Sequence, residues 1–130
     1  VTLIEAATGS GRASHYTTFA DGIFNSPVDG IGAGLLARRG NVYFANIPNL
    51  WLLRDNDGDG RTDGAKDLRP PLLTGFGVKF AFRGHDMHGL RFGPDGKIYF
   101  SIGDRAINVK SKEGRQWEVR TNRKGAVTFL

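Results

Sequence analysis

Cysteine is missing from the 130-residue chain. Its absence excludes disulfide bonds, cysteine-bound zinc and c-type haem attachment within this sequence. No apolar run approaches the ~20 residues that a membrane-spanning helix needs, and the first residues lack the pattern of a secretory signal peptide. Because the chain begins with Val1 rather than Met, we expect a piece of a longer polypeptide.

Convincing helical periodicity is missing too, and Pro70-Pro71 excludes a helix across that stretch. Glycine is abundant instead, with 19 residues, roughly twice the usual share of about 7%, which indicates many turns. Short runs rich in Val, Ile, Phe and Tyr lie between Gly, Pro, Asn and Asp residues and predict β-strands. The predicted strands are 42–45, 51–54, 78–82, 90–92 and 97–102.

One turn has a clear chemical basis, the sequence Gly-Pro-Asp-Gly at 93–96. Proline presets the backbone of the first corner, Asp95 tolerates the second, and Gly96 adopts a positive φ. Because apolar runs lie on both sides, the sequence predicts a β-hairpin here.

Two internal repeats organise the chain. Residues 3–14 align with 52–63, keeping the pattern Gly-x-Gly-Arg, and residues 34–45 align with 89–101 as strand, turn and strand. A strand-rich unit of about 50 residues is typical of β-propeller blades. We therefore predict an all-β fold of about two blades, forming one partial propeller domain over 1–130. A closed propeller needs ~4–8 blades, so two blades are too few to close one.

The net charge of +5 is concentrated in one segment, 105–124. Such a basic segment is compatible with nucleic acid or a phosphate-bearing partner, or with a solvated surface. Only one aromatic residue, Trp117, is available for base stacking. We therefore favour the solvated surface and expect no nucleic-acid partner.

An acidic loop begins at Asp55. Four aspartates occupy positions 1, 3, 5 and 9 of a calcium-type loop, and Gly60 occupies position 6, where such loops turn sharply. The four are Asp55, Asp57, Asp59 and Asp63. Position 12 is Lys66 rather than the glutamate of an EF-hand, which leaves an isolated Ca²⁺-binding loop as the metal hypothesis.

A plain polar turn is the alternative for this loop. The equivalent positions of the first repeat copy hold Ala6, Thr8, Ser10 and Ser14. The repeated loop is therefore kept there without acids, and Gly and Asp can serve as turn formers alone.

Two histidines, His85 and His88, precede the predicted hairpin. Three interpretations remain open: a metal site, loop histidines that hydrogen-bond to backbone, or a catalytic base. A base works best when a carboxylate fixes its tautomer. A hairpin that turns at Pro94-Asp95 predicts that His85 and Asp104 face each other at its open end, as a base and its orienting carboxylate.

The stretch 84–104, GHDMHGLRFGPDGKIYFSIGD, resembles the signature of the glucose/sorbosone dehydrogenase family. Residues 19–22 and 47–63 are also similar to a branch of large bacterial propeller proteins, membrane-bound dehydrogenases with a haem-binding domain. The resemblance implies a six-bladed β-propeller that uses pyrroloquinoline quinone (PQQ) with Ca²⁺. It further implies a sugar or alcohol substrate, a haem domain or cytochrome as acceptor, and a periplasmic or secreted location.

By the same resemblance, His85 falls on the catalytic base and Asp104 on its partner. Two residues depart from the family pattern: His88 stands where a glycine is usual, and Val109 is the nearest match to an amide that contacts the quinone. The family's quinone-clamping basic residues belong to later blades. These departures keep a second hypothesis open, a non-catalytic propeller that binds carbohydrate or protein.

Overall fold

A computed structural model describes residues 1–6, 11–21, 32–62, 70–77, 86–103, 106–111 and 113–119. Within these residues the fold is all-β, as predicted, and none forms an apolar helix of membrane-spanning length. The strands are β1 Thr2–Ala6, β2 Ala13–Thr18, β3 Gly34–Arg38, β4 Asn41–Asn46, β5 Asn49–Arg54, β6 Leu73–Thr74, β7 His88–Phe92, β8 Ile98–Ser101, β9 Ile107–Lys110 and β10 Gln116–Val119.

The strands form small antiparallel sheets. Strands β3, β4, β5 and β6 make a four-stranded sheet in that order, and β1–β2, β7–β8 and β9–β10 each make a two-stranded sheet. The residues after β6 pair with β9. Phe76 forms a β-bridge with Ile107, and the amide of Asn108 donates to the carbonyl of Gly75 at 2.8 Å. This pairing ties the four-stranded sheet to the last hairpin.

Two tight turns fix the register of the central hairpins. The β3–β4 turn has Arg39 and Gly40 at φ 50° and 74°, the two positive values of a type I′ turn. The β7–β8 turn has Gly96 at φ 79°, as predicted. The Asp95 side chain stabilises this turn, because it accepts hydrogen bonds from the Lys97 amide and the Tyr99 hydroxyl at 3.2 and 2.9 Å.

The four-stranded sheet is covered on both faces. On one face Ala45 and Leu50 join a buried cluster with Leu90 and Phe100 of the β7–β8 hairpin. On the other face Leu53 and Val42 of the sheet pack with Leu3 of β1 and with Phe19, which follows β2. Each fully buried large apolar side chain contributes roughly 1.5–3 kcal/mol, so both interfaces stabilise the central sheet.

The outward face of the β1–β2 hairpin is different. Ile4 and Tyr16 lie directly opposite each other, and they remain 60% and 65% exposed. In the sequence repeat, Ile4 corresponds to Leu53, which is 1% exposed. The same repeat position is therefore buried in the four-stranded sheet and open in the β1–β2 hairpin.

Most predicted strands that fall on described residues are confirmed. The predictions at 42–45, 51–54, 90–92 and 97–102 correspond to β4, β5, β7 and β8, while 78–82 lies outside the described residues. Strands β1, β2, β6, β9 and β10 were not predicted from the sequence. Part of the basic segment therefore forms a hairpin, on which Lys110 and Arg115 are exposed.

The strand directions define two ends of the sheets. A Cβ on Gly34 would lie 3.5 Å from the Cα of His88, and the Arg38 guanidinium lies 4.6 Å from the Phe92 ring centre, so β3 and β7 run side by side in one direction. We call the end where both begin the histidine end. Because β3 and β5 are each antiparallel to β4, both finish at the other end, the loop end, where the acidic loop begins.

Candidate functional site

A β-bulge shapes the β7–β8 hairpin at the histidine end. His88 pairs with Ser101, but the next paired residues are Arg91 and Tyr99, so two residues of β7 oppose one of β8. Gly89 takes up the extra length at φ 70°, the conformation of a glycine bulge. The bulge reverses the alternation of the strand, which leaves His88 exposed and Leu90 buried.

Both ring nitrogens of His88 have protein partners. The Nδ1 atom lies 2.7 Å from the carbonyl oxygen of Asp86, and Nε2 lies 3.3 Å from the hydroxyl oxygen of Ser101. A carbonyl oxygen only accepts, so Nδ1 carries the proton and Nε2 accepts from Ser101. His88 thus has a backbone hydrogen bond, as the loop-histidine interpretation expects. In the part of the chain that the structure describes, it belongs to no group of three metal-ligating side chains.

The predicted base and its orienting carboxylate, His85 and Asp104, lie outside the described residues. The prediction that they face each other depends on the hairpin register. Beside the turn, Phe92 pairs with Ile98, one residue away from the register predicted for a turn at Pro94-Asp95, and only the bulge brings His88 opposite Ser101. The catalytic pairing itself stays a prediction.

Val109, the nearest match to a quinone-contacting amide, lies in the core. Its side chain is fully buried with Ile107 and Phe76. A side chain in that position stabilises the packing of β9 against the four-stranded sheet.

At the loop end, backbone amides hold the acidic loop in shape. The two carboxylate oxygens of Asp55 accept from the amides of Gly58 and Gly60 at 2.7 and 2.9 Å. Asp59 accepts from the amide of Arg61 at 2.7 Å. The loop is then tied to the end of β2, because the Thr62 amide donates to the Phe19 carbonyl at 2.6 Å.

Three of the four predicted loop ligands come together. One carboxylate oxygen from each of Asp55, Asp57 and Asp59 lies within 4.8 Å of the others. The fourth, Asp63, lies outside the described residues. The sequence spacing therefore predicted a real cluster of carboxylates, whatever its role.

Comparison with known proteins adds a family. A family model described as "Domain of unknown function (DUF7133)" matches residues 1–127, nearly the whole chain. The chain belongs to the DUF7133 family. Searches of curated proteins and of solved structures find no match.

The carboxylates of this DUF7133 domain have enough acceptor capacity for both amides and a cation. The amide of Gly60 above all, and that of Gly58, hold the pKa of Asp55 below its usual value. The Asp55 carboxylate is therefore ionised near neutral pH. An ionised carboxylate offers about four lone-pair sites, so the amide bonds leave room for a hard cation. They also satisfy the loop without one, which keeps both interpretations of the loop open.

Two residues of the DUF7133 domain, Ser101 and Arg39, were missed by sequence reasoning. Ser101 was not singled out, although the predicted turn places it opposite His88. Arg39 was not singled out either, although an x-Gly pair between two apolar strands signals a type I′ turn, in which an arginine is unusual.

Proposed function

We propose that this DUF7133 domain is part of a β-propeller dehydrogenase of the quinoprotein type, acting on a sugar or another alcohol. The observation that carries the proposal is the β7–β8 hairpin, whose bulged open end brings the exposed His88 together with Ser101. The resemblance of 84–104 to the glucose/sorbosone dehydrogenase signature supplies the chemistry.

The arrangement of the sheets supports the propeller part of the proposal. Antiparallel sheets commonly leave one face in water, yet here sheets or hairpins cover both faces of β3–β6. Radial repetition of sheets produces that arrangement. The repeated hairpins β3–β4 and β7–β8, running side by side, fit two successive units.

In the proposed reaction this chain moves the proton. His85 accepts the proton of the substrate hydroxyl, and Asp104 orients the imidazole and stabilises its charged form. Bound PQQ would supply the acceptor of the hydride. His88 lies three residues away with its lone pair directed to Ser101, so it is the less suitable base of the two.

The described residues at the histidine end do not fit PQQ by themselves. The quinone carries carboxylate groups, and the segments 32–35, 45–49, 73–77, 86–90 and 100–103 contain no Lys or Arg. We assign no cofactor-binding residue to this chain and derive no step through the quinone. A haem domain or cytochrome acceptor and a periplasmic or secreted location belong to the same proposal.

Calcium has a separate place in the proposal. The acidic loop follows β5, at the end of the sheet opposite His88, and the six residues of β5 at ~3.3 Å each span roughly 17 Å. A Ca²⁺ ion held by Asp55, Asp57, Asp59 and Asp63 would therefore stabilise the fold and would not touch a cofactor at the histidine end.

The test is the natural protein that contains this domain, supplied with PQQ, Ca²⁺ and an artificial electron acceptor over a panel of sugars and alcohols. We expect His85→Ala to lower kcat about 10²- to 10⁴-fold, the range for loss of a general base. His88→Ala is the matched control and should lower kcat less than about tenfold. Equal activity of His85→Ala and wild type would show that His85 is not the base.

A non-catalytic propeller that binds carbohydrate or protein is the second candidate. It is favoured by the internal hydrogen bonds of His88, which replaces the glycine usual in the family. This function predicts no turnover of any sugar, together with saturable binding to a glycan or protein that His88→Ala weakens.

A further inference from the structure

The loop end contains an open pocket that lies apart from the histidine hairpin and shares Asp55 with the acidic loop. Its volume is about 380 Å³, within the range of ~300–1,000 Å³ typical of small-molecule sites. The apolar side consists of Leu3, Phe19 and Val42, and Arg39 and Asp55 also line it. Phe19 is almost fully buried, so this side is part of the fixed core.

Arg39 occupies a position where arginine is costly. Its φ of 50° is in the left-handed region, which favours glycine and asparagine over other residues. Type I′ turns accordingly prefer Asn-Gly, whereas this turn is Arg-Gly. Residues kept in sparsely populated backbone regions are concentrated at functional sites, so the choice of arginine calls for a role of the side chain.

The hydrogen bonds of the charged side chains around the pocket do not include the Arg39 guanidinium among the described residues. The ionised Asp55 carboxylate also lines the pocket, where it accepts two backbone amides. The Arg38 guanidinium lies over the Phe92 ring, and Arg54 donates to the Asn41 side chain at 2.6 Å. The Arg39 guanidinium, by contrast, has no hydrogen-bond or ion-pair partner among the described residues.

We propose that this pocket binds a small organic anion with an apolar body, a short-chain or aromatic carboxylate. The carboxylate would accept a forked pair of hydrogen bonds from the Arg39 guanidinium. The apolar body would pack against Leu3, Phe19 and Val42. This site does not depend on the proposed dehydrogenase function, because it lies at the opposite end of the strands.

Matched probes of opposite charge test the chemistry of the pocket. Full-length protein with labelled methyl groups is titrated with hexanoate and, separately, with hexylammonium, and methyl shifts are followed by NMR. We expect hexanoate to give saturable shifts at Leu3, Ala37 and Val42, with hexylammonium at least about tenfold weaker. Equal binding of the two probes, or shifts confined to other methyl groups, would overturn the proposal.

Two variants separate the role of Arg39 from general charge. Arg39→Asn removes the guanidinium and suits the turn, so we expect hexanoate binding to weaken about tenfold or more. The same variant should raise Tm by roughly 4 °C, because the backbone cost is relieved.

Arg91→Gln is the control, since Arg91 is exposed on β7 and does not line the pocket. It should leave hexanoate affinity unchanged. Unchanged affinity in Arg39→Asn, or an equal loss in both variants, would refute the site. A lower Tm for Arg39→Asn would refute the argument from the turn.

Discussion

Backbone hydrogen-bonding groups bind a titratable side chain at each end of the sheets. At the histidine end, the carbonyl of Asp86 fixes the proton of His88 on Nδ1. At the loop end, two backbone amides bind the carboxylate of Asp55. In each case a backbone group binds and orients a titratable side chain, so the chemistry of the side chain depends on local chain conformation.

Asp55→Asn should lower the free energy of unfolding near neutral pH. The amides of Gly60 and Gly58 favour the charged carboxylate and lower its pKa in the folded state. Stability from a lowered pKa is fully present above the unfolded-state pKa of about 3.9 and is lost as pH falls through the folded-state pKa. Urea unfolding of both proteins at about pH 7 and about pH 2.5, with EDTA present, should therefore show a difference that shrinks at the lower pH.

Asp57→Asn is the control for this experiment. Asp57 accepts one longer bond, 3.3 Å from the amide of Asp59, so the loss should be smaller. A difference between wild type and Asp55→Asn that does not change with pH would contradict the proposed role of the carboxylate charge.

At the scale of strands, alternation explains which elements could be predicted. Strands β4 and β5 combine apolar residues on both faces with clear turns, and they lie where the sequence predicted them. Strand β2, Ala13–Thr18, is mostly polar and exposed, so only its pairing with β1 makes it a strand. The bulge at Gly89 was also not predictable, because a glycine in a strand indicates several outcomes.

Gly75→Ala tests the link between β6 and β9. Gly75 has φ 110°, and an added Cβ would overlap the carbonyl group of Asn108. The overlapping atoms belong to the backbone of Asn108. We therefore expect a loss of about 3 kcal/mol in the free energy of unfolding. Chemical denaturation measures it, and hydrogen exchange of the Asn108 amide should accelerate.

The neighbouring exposed residue gives the matched control. Thr74→Ala in β6 should cost less than about 1 kcal/mol, as surface substitutions usually do. Equal effects of the two substitutions would show that the β6–β9 contact is not close.

At the scale of the whole molecule, two distant ends share one set of strands. The all-β class followed from glycine content, short strands and repeats, and the acidic cluster followed from spacing. The direction of each strand decides which residues meet at each end of the sheet. That direction is known only from the pairing of β3 with β4 and of β4 with β5. The sequence therefore indicated two candidate sites, but not that they lie at opposite ends.

Calcium binding at the loop end should stabilise the molecule without changing the histidine end. Calorimetric titration should give heat at millimolar Ca²⁺ or below, with a rise in Tm from preferential binding to the folded state. The NMR signals of His88 should not move. Asp59→Asn should lose the heat, and no heat in wild type at millimolar Ca²⁺ would leave the loop as a polar turn.

The exposed Ile4–Tyr16 pair has a practical consequence for anyone who produces this chain. Among the described strands, β1 and β2 pair only with each other, so no described strand covers either edge of the hairpin. An open edge beside an apolar pair favours self-association as concentration rises. Turbidity and loss of protein on concentration would then originate in this one hairpin rather than in a poorly folded core, and Ile4→Lys or Tyr16→Lys is the remedy to try first.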